Sequence, residues 1–288
     1  MSKHVDDRRS SDYSHSFHAG NVGDVWKHCV LLSCLDALRG RGPLVYIETH
    51  AGGGCYALGP TGEWTEGLGK LLGWARAELP AAALRYLEGV SQAQSVAGAA
   101  ERVYPGSPLL ALARLARGDR ALLWELQDQT RAALSAVMAG DQRVTVEGGD
   151  GLAALVGALR RLPARGEVFV LIDPPYVAKS EWQEVPAALE AAFRARPSAR
   201  FLLWYPIKSL SRPEAMLRSL RAAAVPAAAF ELITTPLELR RNRLNGSGVL
   251  LVNPPPGVLV EIAACVPVIG AACATQDDRW QSRAVAWT

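Results

Sequence analysis

The sequence predicts an α/β fold in which a mostly parallel, seven-stranded sheet is covered by helices. Short apolar runs alternate with longer helical patterns along most of the chain, which is typical of parallel strands connected by helices. A glycine-rich turn follows the first apolar run, as it does in nucleotide-binding folds. The last two apolar runs have no helix between them, so we expect them to pair as an antiparallel hairpin at or near the sheet edge.

Composition and charge exclude several classes of protein. With 49% hydrophobic and 20% charged residues among 288, the chain is typical of a globular protein. The net charge of +3 is far from that of a histone-like binder, so any contact with nucleic acid must be local. Five cysteines without a C-x-x-C pair indicate neither a disulfide framework nor a zinc site, and they fit a reducing cytoplasm. We expect no signal peptide and no membrane-spanning segment.

The N-terminal part combines a polar tail with a segment of unusual composition. Residues 1–12 are expected to be a disordered tail, whereas residues 13–21 are rich in aromatic and imidazole groups and poor in aliphatic ones. A helix is predicted to begin after this segment, where short polar side chains can cap it, and to run to about Leu38. Lys27 and His28 then lie near its first turns.

The first buried strand is predicted at residues 44–48, and the glycine loop 52–54 follows it. Missing side chains would let a ligand approach the backbone there, although the same glycines could form an ordinary tight turn. Residues 56–103 show no strand pattern but contain an alanine-rich helical pattern. This stretch is predicted to be a helical insertion subdomain, so that residues 13–55 and 104–288 form the main domain.

The remainder of the chain alternates between strand and helix patterns. It re-enters the main domain at Tyr104–Pro108, where Ser107 is expected to cap a short helix. Six further strands are predicted at residues 121–126, 143–147, 167–172, 201–205, 227–233 and 248–252. Helices are predicted among them at residues 130–138, 151–162, 180–195 and 212–222.

The most informative motif is Asp173-Pro174-Pro175-Tyr176. The apolar run before it is typical of a buried strand that the prolines end, so Asp173 lies at a strand's carboxyl end, where open α/β sheets bind ligands. The exocyclic amine of adenine is a poor nucleophile because its lone pair is delocalised into the ring. Asp173 and the carbonyl of Pro174 can each accept an amino hydrogen, and Tyr176 can stack on the base. The alternative is a tight turn that Asp173 caps, with Tyr176 in the core.

Polar residues also follow the neighbouring strands. Glu48 and His50 follow the first strand, Glu125 ends the second, and Asp150 with Gly151 follows the third. Glu125 is placed to accept the ribose hydroxyls of a nucleoside-like cofactor, and Asp150 could bind an adenine amino group. Each acid alone could instead cap a helix or be solvated, and His50 could be an ordinary loop histidine. Their joint placement favours a cofactor site. S-adenosylmethionine fits better than NAD, which would leave the Asp-Pro-Pro-Tyr turn without a role.

Longer motifs resemble those of one enzyme family. They are residues 13–28, 49–52, 104–108, 203–206 and 253–255. Together with the glycine loop and the Asp-Pro-Pro-Tyr turn, they resemble the bacterial 23S ribosomal RNA adenine-N6 methyltransferases of the RlmJ family. The resemblance implies a monomeric, Rossmann-like methyltransferase with a small helical subdomain. It also implies S-adenosylmethionine as cofactor and an adenine in naked or partly assembled ribosomal RNA as substrate.

The resemblance implies the site residues as well. Those that would contact the cofactor are His28, His50, Ser107, Glu125, Asp150, Gly151 and Asp173. The catalytic turn would consist of Asp173, Pro174 and Tyr176, with Asp173 orienting the amine. Tyr13 would contact the target base or its surroundings, and His15 and Lys27 would line the substrate site. No metal is expected.

A basic loop is the expected contact for the RNA backbone. Arg240, Arg241 and Arg243 cluster between the last two predicted strands, in a loop expected at the cofactor edge of the sheet. We predict that they bind phosphates, although a solvated hairpin tip would have the same composition. The other path for RNA would run over the insertion.

Two other functions are compatible with the sequence. A DNA adenine-N6 methyltransferase would share the cofactor and the catalytic turn, but such enzymes usually need a recognition domain, and only the insertion is long enough to form one. A non-catalytic RNA-binding or ribosome-assembly protein could retain the same fold. The intact Asp-Pro-Pro-Tyr turn argues against this second alternative.

Overall fold

Strands and helices alternate along most of this protein. The computed structural model describes residues 15–97, 102–239, 244–276 and 278–288. The strands are β1 (Leu44–Glu48), β2 (Cys55–Ala57), β3 (Val103–Pro105), β4 (Arg120–Glu125), β5 (Val144–Gly148), β6 (Glu167–Ile172), β7 (Arg200–Ile207), β8 (Ala227–Ile233), β9 (Gly246–Val252) and β10 (Gln281–Trp287). The helices are α1 (His15–His18), α2 (Val22–Leu38), α3 (Leu68–Leu72), α4 (Ala81–Ala97), α5 (Ser107–Leu112), α6 (Asp128–Val137), α7 (Gly151–Arg161), α8 (Glu181–Ala195), α9 (Ser211–Ala222) and α10 (Val258–Cys273).

The main sheet has eight strands in the order β10-β8-β9-β7-β6-β1-β4-β5. The five strands from β7 to β5 in this order are parallel, whereas β9 is antiparallel to both β7 and β8. The α/β prediction is therefore confirmed, and so is the antiparallel pairing of β8 with β9. The predicted count of seven strands was too low by one, because β10 forms the edge beside β8. Only Trp287 is buried in β10, so its sequence lacks the apolar pattern of a buried strand.

Helices cover both faces of the sheet and divide the core into two clusters. One cluster lies beneath α2, α4, α5, α6 and α10. The other lies beneath α7, α8 and α9. This arrangement is the one that buries parallel strands on both sides. Among the described residues, no helix has both the length and the apolar character that crossing a membrane requires.

The predicted insertion begins and ends with strands that its sequence did not indicate. β2 and β3 pair as a separate antiparallel ribbon, in which Cys55 lies opposite Pro105. Between them lie α3, α4 and two short 3-10 turns, Glu63–Thr65 and Arg76–Glu78. The helical character is as predicted over the described residues. The division of the chain into a main domain and an insertion stays a prediction.

Helix α2 crosses the centre of one face of the sheet. It packs against α4, α5 and α10 on its outer side and against β6, β7 and β9 on its inner side. Most of its side chains are therefore buried, including those of Trp26 and Leu31. Asn21 caps its first turn, and Gly40, at φ 77°, follows its end. The helix carries Lys27 and His28 to the carboxyl edge of the sheet.

The close pairing of β8 with β9 can be tested by a substitution at Gly246. Gly246 lies opposite Ile233, and a Cβ on Gly246 would lie 2.2 Å from the carbonyl oxygen of Leu232. Backbone atoms cannot move aside without shifting the strand. Gly246→Ala should therefore lower the free energy of unfolding by about 1–3 kcal/mol, measured by urea denaturation. Gly118→Ala is the control, because a Cβ there meets no atom within 4 Å. Equal unfolding midpoints for the two variants would contradict this packing.

Candidate active site

The loop after β6 places Asp173 at the carboxyl edge of the sheet. β6 is buried from Val168 to Ile172, and the two prolines that follow Asp173 lack the N–H groups needed to extend its ladder. Asp173 is half-buried and Pro174 is buried. The acid thus lies at the strand end where the sequence predicts it.

Tyr176 follows the prolines in an uncommon backbone conformation. Its φ of 51° lies in the left-handed region, which is uncommon for a residue with a side chain. The ring centroid lies 4.4 Å from that of Trp182 and 6.4 Å from that of Trp204. The hydroxyl donates a hydrogen bond of 3.8 Å to the sulfur of Met216. Tyr176 is therefore held among side chains of α8, β7 and α9, and stacking of its half-buried ring on a base stays a prediction.

Lys27 lies between two carboxylates. Its Nζ donates to Oδ1 of Asp24 at 2.8 Å and to Oδ2 of Asp173 at 2.5 Å. The same ammonium lies 5.7 Å from the ring centroid of Trp204, within the range of a cation–π contact. Only 7% of Lys27 is exposed. The sequence placed Lys27 in the lining of the substrate site, and the structure places it directly against Asp173.

The carboxylates keep Lys27 charged in spite of its burial. Burial lowers the pKa of Lys27, but Asp173 and Asp24 raise it more, so the pKa lies well above its ordinary value. Burial raises the pKa of Asp24, but Lys27, His28 and the N–H of Gly20 together outweigh this effect and the net pKa is lowered. The site therefore holds a fixed ammonium beside Asp173 at neutral pH.

The start of α2 holds Asp24 in place. The side chain of Asn21 accepts a hydrogen bond of 3.0 Å from the Asp24 N–H, which caps the helix. Asp24 in turn accepts from the Gly20 N–H at 2.9 Å through Oδ2. The arrangement differs from a capping box, because Asp24 accepts from the residue before the cap and not from the N–H of Asn21 itself. Asp24 therefore serves both the helix terminus and Lys27.

Glu48 ends β1 as a fully buried acid. Tyr46 donates to its Oε2 at 2.8 Å, and Ser107 donates to its Oε1. Burial raises the pKa of Glu48 to about 8, although the two hydroxyl donors oppose the rise and Asp173 adds to it. Ser107 is not the predicted helix cap, because it is the first residue of α5 and its hydroxyl donates to Glu48. The N-cap is Gly106, which has no side chain to cap the helix.

His28 is buried with one ring nitrogen unused. Its Nδ1 lies 2.8 Å from the hydroxyl of Tyr104, which lies 3.1 Å from the hydroxyl of Tyr86. Its Nε2 is buried and has no hydrogen-bond partner among the described residues. Burial lowers the pKa of His28 to about 3, so the ring is neutral. A buried polar atom without a partner is costly, and a ligand atom would satisfy it.

The glycine loop is tied to the end of β4. Gly52 has φ 63°, and a Cβ there would lie 2.3 Å from the hydroxyl of Tyr56, so only glycine fits. The Gly52 N–H donates to Oε2 of Glu125 at 2.9 Å, and the Gln127 N–H donates to Oε1 at 2.9 Å. Glu125 therefore holds two loops together at the position where the sequence predicts a ligand of the ribose hydroxyls.

His50, Asp150 and Gly151 lie together beyond β1. His50 Nδ1 lies 2.8 Å from the Thr49 hydroxyl, and burial lowers the pKa of His50 to about 4. Asp150 is exposed and caps α7 by accepting from the N–H groups of the second and third helical residues at 3.0 and 3.1 Å. Gly151 approaches Thr49 so closely that a Cβ would lie 2.3 Å from its carbonyl oxygen. The helix terminus is thereby packed against the end of β1.

Some predicted residues lie outside this description, and two site residues were not predicted. Tyr13, Arg240, Arg241 and Arg243 lie outside the described residues, and His15 is described only as the first residue of α1. Asp24 and Trp204 both contact Lys27 but were given no role. Asp24 could have been identified from its position three residues after the capping Asn21, and Trp204 from the Leu-Trp-Tyr-Pro motif of β7.

The chain is similar to known proteins over most of its length. The model of the family described as Ribosomal RNA large subunit methyltransferase D, RlmJ, matches residues 41–287. The chain belongs to this family. The proteins called Ribosomal RNA large subunit methyltransferase J in Escherichia coli and Haemophilus influenzae are each 34% identical over 250 residues, which cover 84% of this chain and 87% of each relative.

A solved structure also resembles this member of the RlmJ family. It is a crystal structure of a Legionella pneumophila protein, with a TM-score of 0.83 and 29% identity over 93% of this chain and 98% of that one. Membership of the RlmJ family confirms the resemblance found in the sequence. It also confirms the prediction that the protein is a methyltransferase and that it uses S-adenosylmethionine.

The environment of Glu48 predicts a specific dependence of stability on pH. The folded protein keeps the Glu48 proton up to about pH 8, whereas the ordinary carboxyl releases it near 4.5. The folded state thus binds more protons between these values, and stability falls as pH rises through them. Glu48→Gln should flatten this fall by about 1.4 kcal/mol for each pKa unit between the folded and unfolded states.

Urea denaturation at several pH values measures this effect. The control is Glu147→Gln, because Glu147 is exposed on β5, the edge strand of the sheet. A pH profile for Glu48→Gln that runs parallel to the wild-type profile would show that Glu48 is ionised in the folded protein.

Proposed function

We propose that this protein methylates N6 of a specific adenine in 23S ribosomal RNA, in naked or partly assembled large-subunit RNA. The RlmJ family match and the curated methyltransferases of E. coli and H. influenzae support the ribosomal RNA substrate. The observation that carries the choice of an adenine amine is Asp173, held against Lys27 at the end of β6 and followed by the rigid Pro174.

The proposed mechanism orients a weak nucleophile. Asp173 accepts one hydrogen of the adenine amine and the Pro174 carbonyl accepts the other, so that the nitrogen lone pair faces the methyl group. S-adenosylmethionine, when bound, supplies that methyl group in an electrophilic form. Asp173 is also the acceptor for the proton that the amine loses. Fixed acceptors contribute to the rate because they need not reorganise during the reaction.

Lys27 supports this role by restricting Asp173. An ammonium 2.5 Å from Oδ2 fixes the rotation of the carboxylate relative to the strand. The ammonium is itself held by Asp24 at 2.8 Å, and little of it is exposed. Because Asp24 holds Lys27 and Lys27 holds Asp173, the carboxylate of Asp173 keeps the orientation that catalysis requires.

We place the cofactor at the carboxyl edge of the sheet, beside β1 and β4. His28 offers a buried, unpartnered Nε2, and Gly52 leaves its backbone free of a side chain. Asp150 is exposed at the same edge, next to a helix terminus. The residues that would hold S-adenosylmethionine are those that the family resemblance implies, namely His28, His50, Ser107, Glu125, Asp150, Gly151 and Asp173.

The proposal extends to the organisation of the protein. We take residues 13–55 and 104–288 as the methyltransferase domain, residues 56–103 as the insertion and residues 1–12 as a tail. The enzyme acts as a monomer in the cytoplasm. Tyr13, His15 and Lys27 are the residues that we propose for contact with the flipped target base.

A methylation assay tests the proposed reaction. Deproteinised 23S ribosomal RNA is incubated with the protein and methyl-labelled S-adenosylmethionine, and the label is mapped. We expect it on N6 of one adenine. Asp173→Asn should lower the rate by about 10²-fold or more, because the amide is a neutral acceptor and can turn its NH2 towards the amine. Asp128→Asn, at a side chain 90% exposed, is the control.

Three other outcomes of the methylation assay would contradict the proposal. Label on DNA but not on RNA would assign the enzyme to DNA, and cofactor binding without any label would leave a non-catalytic protein. A rate for Asp173→Asn within a few-fold of wild type would remove Asp173 from the mechanism.

The basic loop provides a separate test of the RNA contact. β8 runs in the same direction as β7, so the chain after Ile233 leaves the sheet at the edge where Asp173 lies. Alanine at Arg240, Arg241 and Arg243 should weaken RNA binding and flatten its salt dependence by about two units of slope, at about 0.7 per phosphate of single-stranded RNA. Cofactor affinity should not change.

A variant with the same charge change controls for net charge. Arg117, Arg120 and Arg160 are exposed at the opposite edge of the sheet, and their replacement by alanine should leave the salt slope near that of wild type. Filter binding at a series of salt concentrations compares the two variants. Equal slopes for both would place the RNA elsewhere, for example on the insertion around Arg76 and Arg102.

A further inference from the structure

Glu63 is a buried acid of the insertion that contacts the start of α2. It is 9% exposed and lies in the 3-10 turn Glu63–Thr65. Its Oε2 accepts a hydrogen bond of 3.1 Å from Nδ2 of Asn21 and lies 2.9 Å from Nδ1 of His18. Neither the mechanism above nor the cofactor site uses this carboxylate.

The contact with Glu63 determines which way the Asn21 amide faces. Asn21 must present its oxygen to the Asp24 N–H, at 3.0 Å, to cap α2. An amide can rotate by half a turn, and its NH2 group cannot accept that hydrogen bond. Because a carboxylate can only accept, Glu63 fixes the NH2 group on its own side and the oxygen on the side of Asp24.

The chain of contacts continues from Asp24 to Asp173. Asp24 accepts from the Gly20 N–H at 2.9 Å and from Lys27 Nζ at 2.8 Å, and Lys27 donates to Asp173 at 2.5 Å. Every member between Glu63 and Asp173 is at least half-buried. Glu63 is thus connected to the Asp-Pro-Pro-Tyr turn through Asn21, Asp24 and Lys27.

The backbone of the insertion holds Glu63 against α2. The Leu68 N–H donates to the Gly20 carbonyl at 2.9 Å. Gly67 approaches so closely that a Cβ there would lie 2.4 Å from both the Gly20 oxygen and the Asn21 carbonyl carbon. The distance between Glu63 and Asn21 is therefore set by backbone contacts and not by a flexible side chain alone.

We propose that Glu63 is a positioning residue for methyl transfer. Its carboxylate orients Asn21, and through Asn21 and Asp24 it fixes the place of Lys27 against Asp173. The insertion thereby contributes to the geometry of a catalytic group that it does not touch. This inference rests on the proposed function for its kinetic consequence, but the position of Lys27 can be measured without any activity.

Lysine labelling measures that position directly. Lys27 is buried and paired, so an acylating reagent should modify it far more slowly than the exposed Lys179 and Lys208, which serve as internal standards. In Glu63→Ala the rate at Lys27, followed by peptide mass spectrometry, should rise several-fold relative to these standards. In Glu63→Gln it should stay close to wild type, because the amide oxygen can still accept from Asn21. Glu78→Ala, at an exposed acid of the insertion, should have no effect.

Kinetics on ribosomal RNA provide the second readout. Glu63→Ala should lower kcat by about tenfold or more, since a displacement of about 1 Å can cost this much. The Kd of S-adenosylhomocysteine and the KM for RNA should stay within about twofold of wild type. Glu63→Gln should recover most of kcat. If Glu63 acts through Asn21, the double variant with Asn21→Ala should be no slower than the slower single variant.

Several results would overturn the inference. They are an unchanged labelling rate at Lys27 in Glu63→Ala, a kcat within about twofold of wild type, and fully additive effects of Glu63→Ala and Asn21→Ala. A fall in kcat that follows a global loss of stability, with Glu63→Gln no better than Glu63→Ala, would also overturn it. Failure of the wild-type protein to methylate RNA would instead contradict the proposed function, and the labelling result would still decide the position of Lys27.

Discussion

The ammonium of Lys27 lies between the carboxylates of Asp24 and Asp173, and the arrangement of the carboxyl edge of the sheet around Asp173 depends on this contact. It joins the first turns of α2 to the end of β6, 146 residues further along the chain. Removing charges from water costs several kcal/mol each, and only well-aligned partners recover that cost. Loss of one partner would leave a charge uncompensated, so the three side chains hold one another in place. Trp204 closes the cluster with its ring 5.7 Å from the ammonium.

This contact also explains the composition of α2. A helix that delivers Lys27 to β6 must lie directly on the sheet, and α4, α5 and α10 cover its outer side. It therefore has no broad polar face. Its polar side chains near the site are Asp24 and Lys27, which bind each other, and His28, whose Nε2 could bind a ligand. The covering helices exclude water from Lys27 and His28. Electrostatic interactions are stronger where water is excluded, so a small displacement of a charge there changes its interaction energy more than it would in water.

The sequence predicts the main sheet well because its central strands are short apolar runs with clear ends. β1, β6 and β8 have the predicted bounds. The missed strand β10 is exposed, and β2 and β3 depend on pairing between residues about 50 apart, so neither has a local signal. The role of Ser107 likewise could not be predicted from the local sequence. Its place before a helix suggests a cap, but the burial of Glu48 makes a better acceptor available to its hydroxyl.

The four acids that follow neighbouring strands look equivalent in the sequence, and the structure separates them by their partners. Burial raises the pKa of Glu48 to about 8, so at neutral pH it is mostly uncharged beside Asp173 and does not repel it. Glu125 and Asp150 each accept hydrogen bonds from two backbone N–H groups, which fixes loops and a helix terminus at the carboxyl edge of the sheet. Asp173 alone among these four is paired with a buried cation. A carboxylate held in one position by a buried ammonium can present a fixed acceptor to a weak amine, so this pairing favours Asp173 among the four acids for the proposed reaction.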